Sequence, residues 1–368
     1  MSPGTERSLV VLRFGAEGAR PKAYLQASLH ADEIPAMLVL NHLAERLREA
    51  AADGAMRGEV VAVPAANPVG LAQFVQGRAM GRFALAGSGN FNRHFPHLAD
   101  ALTDEIATRL GGDAAQNVAV VREAMRDALD ALEPADEVAF LRHALMSLAY
   151  DADIALDLHC DSEAVLHVFL GTPLWPDAAD LSAQLGSRAT LLATDSGGHP
   201  FDEAVGGPWW SLAERYPQHP IPPACLSATV EFRGRGDVGE AMAAADADNL
   251  FRFLQRRGVV EGDPGPVPAA LCEATPLEGV DMIRSPVAGV IAYEKAPGER
   301  VAADEVVAVI VDPLGADFDT ARVALRSRCD GVLFGRSADR LARPGKVVCK
   351  IAGRQALPDR HAGALLTD

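Results

Sequence analysis

Four short stretches hold side chains that bind metals or move protons. They are Ser28-Leu29-His30-Ala31-Asp32-Glu33; Asn67-Pro68 with Asn92-Arg93-His94-Phe95-Pro96 after it; Asp157-Leu158-His159; and Thr229-Val230-Glu231. His30, Glu33 and His159 supply two imidazoles and one carboxylate, the ligand set of a catalytic zinc that keeps a fourth position open. A His and a Glu three apart, where a strand runs into a helix, can converge on one point. A second His from the end of a neighbouring strand completes the triangle. Asp157 lies two residues before His159 on the same strand face, so it can orient that imidazole.

These residues need a sheet to position them. Apolar or β-branched runs at Val10–Phe14, Tyr24–Ser28, Val60–Val63, Ile154–Leu158 and Thr229–Phe232 predict buried strands. Helical periodicity covers Glu33–Ala51, where Ala36, Leu40, Leu43 and Leu47 form a stripe and Asp32 stands at the N-cap position, and recurs over 116–133, 137–149 and 238–257. Alternating strands and helices predict an α/β fold, a mixed sheet with helices on both faces. His30 and His159 then fall at carboxyl ends of strands, where sites in open α/β sheets gather.

The pattern changes near residue 258. Residues 1–257 read as the α/β domain, the Gly/Pro-rich 258–279 as a linker, and 280–368 as a small all-β barrel or sandwich. A weak repeat runs through this last part: Ser285–Ile291, Pro297–Val301 and Val306–Ile310 recur as Cys329–Leu333, Pro344–Val347 and Val347–Ile351. The half-motif resembles the biotinyl/lipoyl carrier fold. A carrier role needs a lysine on the turn between the halves, and none occurs between Lys295 and Lys346.

Composition narrows the classes. Lys+Arg 34 against Asp+Glu 50 leaves a formal charge of −16, which repels phosphate backbones and anionic lipid, so neither nucleic acid nor membrane is an expected partner. The start, MSPGTERSLV, lacks a basic segment followed by an apolar one, and the longest apolar runs are too short to span a bilayer. Five scattered cysteines without Cys-x-x-Cys spacing argue against a disulfide framework, so a reducing cytoplasm is expected.

The ordered set His-x-x-Glu, Asn-Pro, Asn-Arg-x-Phe-Pro, Asp-Leu-His and Thr-x-Glu resembles the succinylglutamate desuccinylase/aspartoacylase family of zinc carboxypeptidase-like hydrolases, across roughly residues 20–240. The C-terminal β-module fits as well. The resemblance implies one Zn2+ per chain on His30, Glu33 and His159, with Glu231 as general base. It implies that Arg93 holds a substrate carboxylate with help from Asn92. A further arginine, Arg78 or Arg82 with Arg78 favoured, would polarise the scissile carbonyl. The activity so implied is a zinc-dependent amidohydrolase (deacylase) acting on a small-molecule N-acyl amino acid or related amide. A metallocarboxypeptidase acting on short peptides is the alternative, and a homo-oligomer is compatible.

Other polar residues have two readings. His94 and His97 are expected to be solvated loop residues and His167 a core histidine. Asp161 and Glu163 are read as solvated carboxylates or contacts to a cationic group, and Cys160 as buried filler. Arg233 should share the face of Glu231 if its strand continues, as a partner of that carboxylate or a substrate contact. Trp209-Trp210, after a Gly/Pro-rich stretch, is read as packing rather than a lid.

Overall fold

A computed structural model of the chain describes residues 4–87, 89–102, 104–315 and 321–365. An eight-stranded mixed sheet organises the larger part. Its strands are β1 (Leu12–Phe14), β2 (Lys22–Ala27), β3 (Glu59–Val63), β4 (Ile154–Asp161), β5 (His167–Gly171), β6 (Thr190–Ala193), β7 (Leu226–Gly234) and β8 (Ala274–Pro276), in the spatial order β1-β3-β2-β4-β7-β5-β6-β8. β2, β3, β4 and β7 run parallel, whereas β1 and β5 enter antiparallel to β3 and β7.

The alternation of side chains along each strand divides the core in two. On β2, Ala23, Leu25 and Ala27 face one layer, with helices α1 (Pro35–Ala52), α4 (Ala179–Leu185) and α6 (Glu240–Arg256). Tyr24 faces the other, with α2 (Ala114–Asp130), α3 (Glu137–Ala149) and α5 (Phe201–Arg215). The stripe expected in α1 is buried as Ala36, Leu40, Leu43 and Leu47. Asp32 does not cap that helix. Pro35, whose missing N–H would be unpaired there in any case, opens it instead. Asp113 and Asp136 cap α2 and α3 by accepting backbone N–H bonds. Trp209 is fully buried inside α5, so that aromatic pair lies in a helix and not in a lid.

The stretch after α6 is tied to the larger part. Val259 and Val260 are buried, and β8 adds to the large sheet beside β6. Beyond it, β9 (Val280–Arg284), β10 (Gly289–Tyr293), β11 (Arg300–Val301), β12 (Val306–Val311), β13 (Arg322–Arg326), β14 (Gly331–Arg336), β15 (Leu341–Ala342) and β16 (Val347–Gly353) form two sheets, ordered β9-β16-β14-β11 and β13-β12-β10-β15. Each repeat lends its short strand to the other's sheet: β11 pairs with β14, and β15 with β10. Ile283, Ile291, Val307, Ile310, Leu333 and Ile351 fill the space between them.

The module also joins the sheet that carries the site. Glu163–Ala164, just beyond β4, pairs antiparallel with β14, placing Ala164 opposite Gly335. Glu163 is clamped by Arg336 at 2.7 Å and Arg340 at 2.6 Å, and both guanidiniums lie over the Tyr293 ring. The module is thereby registered against the strand that bears His159.

Candidate metal centre and cavity

His30 follows β2, Glu33 precedes α1 and His159 lies on β4, so adjacent parallel strands bring the three together. All are buried, and their ligand atoms lie within 4.8 Å of one another. Glu33 stands in the middle: its Oε1 is 3.0 Å from His30 Nδ1 and its Oε2 is 2.7 Å from His159 Nδ1.

The surrounding hydrogen bonds decide which ring atoms carry protons. Asn90 Oδ1 accepts the Asn92 backbone N–H at 2.9 Å, which fixes it as an acceptor, and His30 Nε2 donates to the same oxygen at 2.9 Å. His159 Nε2 donates to Asp157 Oδ2 at 2.7 Å. Asp157 is itself held by Gln26 Nε2 at 2.9 Å, and Gln26 by the Tyr24 hydroxyl. With both Nε2 atoms donating outward, the two Nδ1 lone pairs face a carboxylate. Arg82 Nη1 lies 3.3 Å from His30 Nδ1, a long contact that meets one of them, whereas a proton or a cation between the rings and the carboxylate would meet both. Two imidazoles and a carboxylate converging in this way, each ring oriented by an outer partner, fit a divalent metal.

The charges agree. Burial opposes ionisation of Glu33, yet the two histidines hold it well below its ordinary value, so it stays anionic. Burial also pulls His159 down, but Asp157 and Glu33 outweigh it and raise it well above its ordinary value. His30, with the same burial, ends lower than usual.

These residues open into a cavity of about 320 Å³. Glu231 on β7 lines it, directly across from His159 in the β4–β7 pairing, with a buried Oε2 that has no hydrogen-bond partner. Burial, then the nearby Glu33 carboxylate, pushes Glu231 up to about 8. Arg82 lines the same cavity, its guanidinium 3.4 Å from Glu33 Oε1. Arg78, the arginine favoured above, does not reach it: Arg78 is exposed on a two-residue hairpin strand. The cause lies at Gly81, where a Cβ would come within 2.2 Å of the Asp32 backbone nitrogen. The chain presses against Ala31–Asp32 there and delivers the next residue, Arg82, to the site.

Asn92 and Arg93 are both buried and line the cavity. Arg93 donates to the Asn92 carbonyl at 2.7 Å. Its aliphatic stem rests on Gly198, where a Cβ would lie 2.6 Å from Arg93 Cδ and where φ is +75°. Gly198→Ala must therefore move the guanidinium as well as strain its own backbone. The expected result is a rise of about tenfold in KM for carboxylate-bearing substrates, with a smaller change in kcat. Unchanged KM would show that Arg93 does not anchor the substrate.

Arg233 departs from its expected face. A bulge between Glu231 and Gly234 puts it at φ +62°, and it pairs with Asp246 on α6 instead of approaching Glu231. Arg235 lines the cavity in its stead and holds Asp32 at 2.8 Å. His94 is exposed, His97 sits 3.3 Å from Asp100, and His167 is buried between Phe169 and Phe334; none of the three lines the cavity. Burial pushes His167 down to about 4, so it is a neutral core residue. Cys160 is buried, its thiol pushed far up by burial, while its backbone N–H donates to Glu33 Oε2 at 3.2 Å.

Several lining residues escaped the sequence reading. Asn90 orients His30, and the signal was only its spacing of two from Asn92. From the C-terminal module, Met282 and Lys350, cross-strand partners on β9 and β16, form one wall. Lys350 Nζ pairs with Asp161 Oδ2 at 2.5 Å, so Asp161 is neither solvated nor free for a cation. Asp202 and Glu203, in the first turn of α5, form another wall.

Burial, with Asp157 and Asp202 respectively as the next contributors, raises Asp202 to about 6 and Glu203 to about 8. A carboxyl with a folded value above its unfolded 4.5 holds its proton longer when folded. The fold therefore loses stability as pH rises from about 4.5 to about 8. Glu203→Gln is expected to match the wild type at pH 4 and to melt several degrees higher at pH 8.5, at roughly 2–4 °C per kcal/mol. Melting curves with identical pH dependence would refute the burial of this charge.

Comparison with known proteins follows the same lines. Residues 19–121 match the family model of the succinylglutamate desuccinylase/aspartoacylase catalytic domain. No curated protein matches the chain. Among solved structures, a succinylglutamate desuccinylase/aspartoacylase family protein from Shewanella amazonensis SB2B is 24% identical, with a TM-score of 0.80 over 94% of this chain and 93% of its own. One from Shewanella frigidimarina NCIMB 400 is 24% identical, with a TM-score of 0.84 over 96% and 94%. The product-bound ectoine utilization protein EutE (DoeB) from Ruegeria pomeroyi is 19% identical, with a TM-score of 0.64 over 94% and 88%. At these identities the structures establish a shared fold across nearly the whole chain, the β-module included. Residues 19–121 thus match the catalytic-domain model of the succinylglutamate desuccinylase/aspartoacylase family, and the chain as a whole shares the fold of the solved structures that bear that family's name.

Proposed function

We propose that this protein is a zinc-dependent amidohydrolase that cleaves an N-acyl amino acid or related small amide into carboxylate and amine. The observation that carries this reading is the convergence of His30, Glu33 and His159 on one point, with the unpartnered Oε2 of Glu231 in the same cavity. A divalent cation held there supplies Lewis acidity, which makes hydroxide available at neutral pH and polarises a carbonyl.

The chain's own residues supply the rest. Arg93, steadied by Gly198, offers a guanidinium to the substrate carboxylate, with Asn92 beside it. Arg82 places positive charge where the amide oxygen becomes negative. Glu231 takes a proton from the attacking water as its oxygen bonds to the carbonyl carbon. When the C–N bond breaks, Glu231 returns the proton to the leaving nitrogen. A basic carboxylate is what that exchange requires, and burial raises Glu231 in that direction.

The walls favour a small amide over the peptide of the carboxypeptidase alternative. Lys350 and Met282 of the β-module and Asp202 and Glu203 of α5 confine the cavity to about 320 Å³, near the small end of ligand pockets. Among the described residues no helix is long and apolar enough to cross a membrane.

The test is metal content of the purified protein, with turnover of N-acetyl, N-succinyl and N-acyl-aspartate substrates before and after chelation. About one zinc per chain and a chelator-sensitive release of amine are expected. Protein that takes up no zinc would remove the basis of the mechanism.

A further inference from the structure

A second cavity lies apart from the candidate metal centre, in the seam between the edge of the large sheet and the C-terminal module, and measures about 1010 Å³. Four arginines line it: Arg188 from the loop before β6, and Arg300, Arg328 and Arg354 from the module. In a chain of net charge −16, such a cluster of one sign runs against the overall balance.

The carboxylates present pair with two of the four arginines, Arg328 and Arg354, and leave Arg188 and Arg300 without an ion pair among the described residues. Only Glu273 and Asp330 line the cavity. Asp330 accepts the Ala303 backbone N–H, and Glu273 reaches Arg354 at 3.2 Å, a pair so exposed (74% and 71%) that it contributes little. Arg328 is engaged by Asp281 and Asp359, which lie outside the cavity lining. Among the described residues Arg188 and Arg300 form no ion pair. Arg188 nevertheless reaches the module: a Cβ on Gly298, two residues before Arg300, would sit 3.7 Å from Arg188 Cζ. The guanidinium of Arg188 thus crosses the seam to the turn that leads into Arg300. A further donor, the buried hydroxyl of Thr275 on β8, lines the same cavity without a partner.

Unpaired guanidiniums brought together across a seam, with an unsatisfied buried hydroxyl beside them, form a receptor for negative charge. We propose that this cavity binds a small multiply charged anion bearing phosphate or carboxylate groups, held between Arg188 of the α/β part and Arg300 and Arg354 of the β-module. The site does not depend on the proposed hydrolysis, and its ligand is not the substrate of the metal centre.

The test is calorimetric titration of the full-length protein with pyrophosphate and, separately, with tricarballylate, at low and moderate salt. Saturable binding of at least one anion is expected near one site per chain, weakening as salt rises. The two titrations distinguish phosphate from carboxylate recognition. Arg188→Ala/Arg300→Ala is expected to weaken binding about tenfold or more while melting as the wild type does, since both side chains are exposed. Glu273→Gln, which frees Arg354, is expected to tighten it. Failure of both anions to bind the wild type, or equal binding by the double variant, overturns the proposal. Neither result bears on zinc content or amide turnover.

Discussion

Glu231→Gln is expected to keep about one zinc per chain and to lose turnover by about 100-fold or more. Glu231 lies opposite His159 in the β4–β7 register but is not among the three converging ligands. Its Oε2 is buried and unpartnered, so the amide of Gln fills the same space without the ability to take a proton. Loss of kcat with little change in KM would mark a group that acts in the transition state and not in binding. Metal analysis and steady-state kinetics on the same preparation check it. A variant with full turnover would eliminate Glu231 as the base.

His159→Ala is expected to lose metal and activity together. His159 Nδ1 is one of three converging donors, and two remaining ligands do not hold zinc as three do. The substitution also strips Asp157, fully buried, of its 2.7 Å imidazole partner, leaving Gln26 and a long contact from Asn92. An accompanying stability loss on the order of 1–3 kcal/mol is expected from that exposed need alone. His97→Ala is the control, because His97 lies outside the cavity, beside Asp100 and His199. That variant should retain both zinc and turnover. Stoichiometric zinc in His159→Ala would contradict the ligand assignment.

Both expectations rest on residues that local sequence already marked. His30 and Glu33 follow a strand, and Asp157, His159 and Glu231 lie on strands, which are legible because burial on both faces demands continuous apolar runs. The α/β architecture and the two-unit β-module were legible for the same reason, since periodicity and turn residues are local properties. Helix limits were less so. Asp32 looked like a cap, but its carboxylate is engaged by Arg235, a residue two hundred positions away.

What only the tertiary structure decided is which of several chemically equivalent side chains arrives. Arg82 reaches Glu33 and Arg78 does not, because the backbone packs against Asp32 at Gly81. Arg235 lines the cavity and Arg233 does not, because one bulge reverses a period-two expectation. Lys350 and Met282 enter the wall because Glu163–Ala164 pairs with β14, a contact between segments some 170 residues apart. Charge works in the same way: Asp202, Glu203 and Glu231 are ordinary carboxylates in the sequence, and their raised values come from desolvation and from neighbours that the fold places beside them. Residue type and spacing determine the chemistry on offer, whereas non-local packing determines which groups are close enough, and dry enough, to perform it.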